Sequence, residues 1–273
     1  MEINIDQTRW WQRIYAAFIF FTRLPLWRWY EPPKECYRSV VEHWPLTGWL
    51  TGGVMALVLY FGNMLFPWPV TVLLAILARV ILTGALHEDG LADFCDGFGG
   101  GGNDRERILT IMKDSHIGTY GVIGLILYFA MLYTCLSLMM PKTAALVVFA
   151  GDAYSKLLAG QIIMFLPYAR TEATSKAHNV YRKFSVKAGI SIFLQGILPL
   201  CLLLYITRYD LNLRWDLLVF IPALVMYFLY LLIWRKIHGY TGDCCGAVCL
   251  MVELSVYLVV CSQQPMITPT LLQ

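Results

Sequence analysis

The chain has 273 residues, 58% of them hydrophobic and 14% charged, with a formal net charge of +3. A soluble domain carries about a quarter charged residues and roughly half apolar ones, so this composition argues against a soluble domain and for an integral membrane protein. Lys and Arg form no cluster on a polar stretch, and no nucleic-acid partner is expected.

The start, "MEINIDQTRWW", lacks the basic segment and apolar core of a cleavable signal peptide, so the mature chain is expected to begin at Met1. "RWWQRIYAAFIFFTRLPLWRWY" follows, apolar but interrupted by Arg13 and Arg23. Its Trp and Arg content predicts an amphipathic helix lying in the membrane interface, within an N-terminal region 1–43. Seven segments then approach the ~20 apolar residues needed to cross a bilayer: 44–66, 69–86, 117–140, 143–165, 188–206, 216–233 and 243–261. The predicted fold is an all-α polytopic membrane helix bundle, a single membrane domain over 1–273 with no internal repeat.

Positive residues test this map. With seven crossings, 16 of the 21 Lys and Arg fall on the side of the N-terminus, three on the other side and two within spans. Basic residues stay in the cytoplasm during insertion, so the N-terminus is expected inside and the C-terminus outside. Segment 87–116 then faces the cytoplasm. The eight cysteines show no C-x-x-C spacing and mostly lie in or beside apolar runs, where cysteine behaves as a small hydrophobe.

Segment 87–116 opens with "HEDGLADFCDGFGGGG", His87 to Gly102. Asp89, Asp93 and Asp96 stand at i, i+4 and i+7, one face of a helix. Three like charges there repel unless a cation binds them, and short oxygen ligands suit Mg2+, which usually also holds a substrate phosphate. The glycines, Gly99 and Gly100 among them, are expected to let backbone N–H groups approach that anion. Gly97 to Gly102 satisfies G-x-G-x-x-G, but no βαβ pattern surrounds it. Further on, "RERILTIMKDSHIGTYG" supplies Arg105, Arg107 and Lys113 as phosphate clamps or plain positive-inside residues, and places Asp114 beside the membrane. Within the spans, Asp152 and Lys156 sit at i and i+4 and are expected to neutralise each other. Arg79 is expected to pair with a carboxylate or a phosphate. Glu253 lies mid-span and is expected to avoid lipid. Asp243 marks a second polar spot at the start of the last span.

These motifs resemble those of the cobalamin synthase family, the adenosylcobinamide-GDP ribazoletransferases. "HEDGLADFCDG" resembles the family's H-x-D-G-L-A-D-x-x-D-G signature, and "IMKDSHIGTYG" its second acidic element. "FFTRLP", "WPLTGWLTGG" and "GYTGDCCGA" resemble its flanking features, so the resemblance covers nearly the whole chain. It implies a Mg2+-dependent membrane enzyme in which α-ribazole, or its 5′-phosphate, attacks the cobinamide-side phosphate of adenosylcobinamide-GDP and displaces GMP. It implies the bacterial or archaeal cytoplasmic membrane, and association with other corrinoid-pathway enzymes is a further expectation. Asp89, Asp93 and Asp96 match the signature carboxylates and Asp114 the second element. Asp114 or Asp96 is the expected general base. A CDP-alcohol-type phosphotransferase is the chemical alternative, but this chain reads D-G-L-A-D where that motif has D-G-x-x-A-R. A cation-coupled transporter would use Asp152, Lys156 and Glu253 as its pathway, without the inverted repeat common in such proteins.

Overall fold

An apolar segment in lipid must satisfy its own backbone, and a helix does so. The computed structural model describes residues 8–170, 181–209 and 213–263. After α1 (Trp10–Phe21) come short 3-10 segments at Leu26–Arg28 and Lys34–His43, and then nine helices. These are α2 (Trp44–Gly62), α3 (Trp68–Thr83), α4 (Leu86–Gly100), α5 (Arg105–Ile111), α6 (Thr119–Ser137), α7 (Pro141–Phe165), α8 (Val186–Thr207), α9 (Trp215–Ile237) and α10 (Gly242–Ser262). Prolines sit in the first turns of α2, α3 and α7, where a missing N–H costs nothing. Six helices are long and apolar enough to span a membrane, and a seventh crossing arises if the bent pair α3–α4 counts as one. At 12 residues, α1 reaches only about 18 Å, too short to cross about 30 Å of hydrocarbon.

Helices α7 and α10 form the buried centre, while α6, α8 and α9 turn most of their apolar surface outward. Close approach rests on small residues, as membrane helix packing requires. A Cβ on Gly48 would stand 3.0 Å from the Ala153 Cα, and one on Gly52 would stand 2.9 Å from the Asp152 Cβ, so this G-x-x-x-G pair sets α2 directly on α7. Gly151 in turn admits Tyr257 of α10.

The spans carry their charges in pairs. Lys156 bonds Asp152 as expected, and Thr51 donates to the other Asp152 oxygen at 2.6 Å. Arg79 meets Glu253 at 2.5 Å and donates to the Tyr128 hydroxyl at 2.9 Å, and Tyr257 also donates to Glu253. Glu253 is buried within the bundle, so it avoids lipid as expected.

The acidic stretch is helical, as its spacing predicts. It forms α4, set at 89° to α3. The corner is two successive left-handed residues, Gly84 (φ 65°) and Ala85 (φ 57°). Ala85 adopts this conformation at a cost of about 1–2 kcal/mol. The "FFTRLP" segment holds the corner in place: the Arg23 N–H donates to the Leu82 carbonyl at 2.7 Å. The Arg23 side chain also fills the space over Gly84, where any Cβ would collide with it.

Candidate active site

Two glycines bring α4 against the start of α10. A Cβ on Gly90 would lie 3.0 Å from the Asp243 carbonyl oxygen, and one on Gly246 would lie 3.3 Å from the His87 Cα. The two backbones therefore nearly touch, and Asp89 and Asp243 line one cavity of ≈ 280 Å³. Phe21, Trp44 and His87 also line it. A two-way backbone pairing adds Arg170: Ala169 N–H donates to Tyr240 O at 2.9 Å, and Tyr240 N–H to Pro167 O at 2.9 Å. Gly239 permits this pairing, since a Cβ there would fall 2.7 Å from the Pro167 oxygen. Thr241 then caps α10 by accepting from Cys244 N–H, which sets Asp243 in the first helical turn.

A second, more open cavity of ≈ 930 Å³ is lined by Lys113, Asp114 and Arg105, and it shares Tyr168 and Arg170 with the first. The carboxylates of Asp89 and Asp243 line the smaller chamber, those of Glu106 and Asp114 line the larger one with Arg105 and Lys113, and Arg170 lines both.

The three signature carboxylates do not converge. Among the described residues, no group of three or more His, Cys, Asp or Glu side chains is placed to hold a metal ion. Asp89 is exposed in the smaller cavity and Asp93 is half-buried. Asp96 is buried and turned toward α6, accepting from Gly118 N–H at 2.7 Å and from Gly121 N–H at 2.9 Å. A carboxylate complements the first, unpaired amides of a helix. A Cβ on either glycine would meet that carboxylate at 2.4 Å, which accounts for both glycines of "IGTYG".

Other expectations are also corrected. Gly99 and Gly100 do not cradle an anion, because they lie in the last turn of α4, whose amides are committed along the helix. The glycines there admit neighbours: Gly97 faces Met112, Gly99 faces the Tyr120 ring and Gly101 faces Ile108. Of the two partners expected for Arg79, the structure gives the carboxylate, that of Glu253. Arg105 lines the open cavity, but its guanidinium bonds the Ile237 oxygen at 2.9 Å, the Ala169 oxygen at 2.7 Å and Glu106. It acts as a strut joining α5 to the end of α9. Lys113 is exposed on the open cavity. Asp114 is exposed there too and accepts from the His116 backbone N–H at 3.1 Å, with the His116 Nδ1 at 2.7 Å. The His116 side-chain hydrogen bond, followed by the backbone one, holds the Asp114 carboxyl below its ordinary range.

Arg170, Trp44 and His87 were not singled out from the sequence. Arg170 counted only as one basic residue among several, and nothing in the spacing ties the two rings to α10.

Fold and site together define a polytopic helical membrane protein with two cavities that share Tyr168 and Arg170. The family described as CobS, cobalamin-5-phosphate synthase, matches residues 13–261, and the chain belongs to it. It is 34% identical to the adenosylcobinamide-GDP ribazoletransferase of Leptospira interrogans over 91% of this chain and 94% of that one. It is also 36% identical to the protein of that name from Shewanella amazonensis, over 89% of this chain and 92% of the other. No solved structure matches.

Proposed function

We propose that this chain transfers the cobinamide phosphate of adenosylcobinamide-GDP to α-ribazole or its 5′-phosphate, releasing GMP and completing the nucleotide loop of the corrinoid. The observation that carries this reading is the pair of adjoining chambers meeting at Tyr168 and Arg170. They differ in size, ≈ 280 against ≈ 930 Å³, as the two substrates do.

The donor set suits a hard divalent cation. Mg2+ is usually held by one or two carboxylates plus substrate phosphate, so three converging acids are not required. Asp89 and Asp93, one turn apart on α4, would hold it, with Asp89 facing the smaller cavity. When bound, such an ion neutralises charge on the departing phosphate. Arg170 and Lys113 bind phosphate oxygens from the open side. Asp96 positions α6. Its two oxygens are already engaged, and this leaves Asp114 to take the proton of the attacking ribose hydroxyl. Basic residues predominate on the site's side of the sequence, which supports a cytoplasmic active face on the cytoplasmic membrane.

Purified protein in detergent, given both substrates, is expected to release GMP in step with corrinoid product, to stop on chelation and to resume with Mg2+. Absence of GMP release under Mg2+ would reject the reading. The proton role has its own test in the acid limb of kcat/KM. Hydrogen bonds from His116 stabilise ionised Asp114, so wild-type enzyme keeps its base to below the ordinary carboxylate range. His116→Ala removes the larger of those bonds and is expected to move the acid limb to higher pH. An unmoved limb would exclude Asp114 as the base.

A further inference from the structure

The smaller cavity has a wall unlike the rest of the site. Phe21, Trp44 and His87 present nearly parallel rings, with interplanar angles of 9° and 17° and centroids 5.2 and 5.7 Å apart along the series. Trp44 is 2% exposed and His87 5%, yet among the described residues neither the Trp44 Nε1 nor the His87 Nε2 has a hydrogen-bond partner. A buried polar atom left unpaired costs about 1–3 kcal/mol, and the two side chains that carry these atoms both line this one cavity. Neither is used by the metal, the phosphate clamps or the proposed base.

We infer that this cavity is the seat of the incoming nucleoside, and that Trp44 and His87 bind its planar base. The inference rests on the transferase reading above and deepens it. Parallel rings select a flat heteroaromatic ligand. The indole N–H is a donor only, and a benzimidazole riboside offers one unsubstituted ring nitrogen as acceptor. The His87 Nε2 is then available to a ribose hydroxyl. At ≈ 280 Å³, just under the usual ~300–1,000 Å³ of small-molecule sites, the cavity cannot enclose a corrin macrocycle. Size separates the two remaining occupants, and the nucleoside is the smaller of them. The guanosine diphosphate end has the larger cavity with Lys113 and Arg170. Seated this way, the ribose lies toward the shared Tyr168–Arg170 boundary, where a hydroxyl meets the phosphate it attacks.

Titration calorimetry on the full chain in detergent tests the assignment, with α-ribazole and GMP titrated separately. Trp44→Phe keeps a ring and loses the donor, and His87→Leu removes the second partner. The Kd for α-ribazole is expected to rise about fivefold in the first and about tenfold in the second, with GMP affinity held within about twofold. The KM for α-ribazole should rise in parallel and that for the corrinoid substrate should not. Unchanged α-ribazole affinity, or weakened GMP affinity in its place, overturns the assignment. Should His87→Leu fail to fold, Trp44→Phe alone decides. If wild-type protein turns over while α-ribazole binding ignores both substitutions, the pocket assignment falls and the transferase reading stands. If α-ribazole binds with the expected pattern but no GMP is released, the reverse holds.

Discussion

Replacing Asp89 by Asn is expected to lower GMP release by about a thousandfold, or about 4 kcal/mol of transition-state stabilisation, with little change in thermal melting. Asp89 is exposed and lines the smaller cavity. Substitutions at such positions usually shift stability by less than about 0.5 kcal/mol, and the amide is nearly isosteric. What it removes is a negative oxygen ligand where a cation and a phosphate would meet. Asp96→Ala should give the contrasting pattern. It strips the acceptor from two amides of α6 and should cost about 1–3 kcal/mol of stability. Melting curves and GMP release on both variants separate the two roles. An Asp89→Asn protein that melts early but turns over normally would make Asp89 architectural and remove it from the metal site.

The larger effect on stability belongs to Arg79. Arg79→Met should lower stability by about 3–5 kcal/mol, because it leaves Glu253 ionised and unpaired within the bundle. Glu253 and Arg79 are 2% and 3% exposed and meet at 2.5 Å. Tyr128 and Tyr257 give each ion one further bond. Replacing both members of a buried pair is often neutral, so Arg79→Met with Glu253→Gln is expected to recover most of the loss. Because Arg79 lines neither cavity, the double variant should keep transfer within about tenfold of wild type. Detergent melting curves check the first half and GMP release the second. A folded but inactive double variant would return Arg79 to phosphate binding.

The spans were legible because apolar runs leave the backbone one solution in lipid. The seven segments drawn from composition match α2, α3 and α6 to α10 within about four residues. The helical spacing of Asp89, Asp93 and Asp96 was legible too, and α4 is a helix. Their fates were not, because spacing on one helix says nothing of what the next helix offers. Asp96 is captured by amides of α6 that lie 22 and 25 residues away. The right-angle corner escaped notice because Ala85 is an unusual residue for a left-handed conformation. Arg170 reaches the site through a backbone pairing with Tyr240, 71 residues further on from Ala169. Asp243 was marked as a polar spot, but only the approach at Gly90 and Gly246 joins it to Asp89.

The glycines from Gly90 to Gly124 change what the acidic signature encodes. Each of Gly90, Gly97, Gly99, Gly101, Gly118, Gly121 and Gly124 occupies a place where even a methyl group would crowd a neighbour. Most letters of the string therefore specify distance between helices, and only a few specify reactivity. An engineer wishing to redirect the chemistry would find that scaffold nearly immovable, with freedom confined to Asp89, Asp93 and the side chains they face.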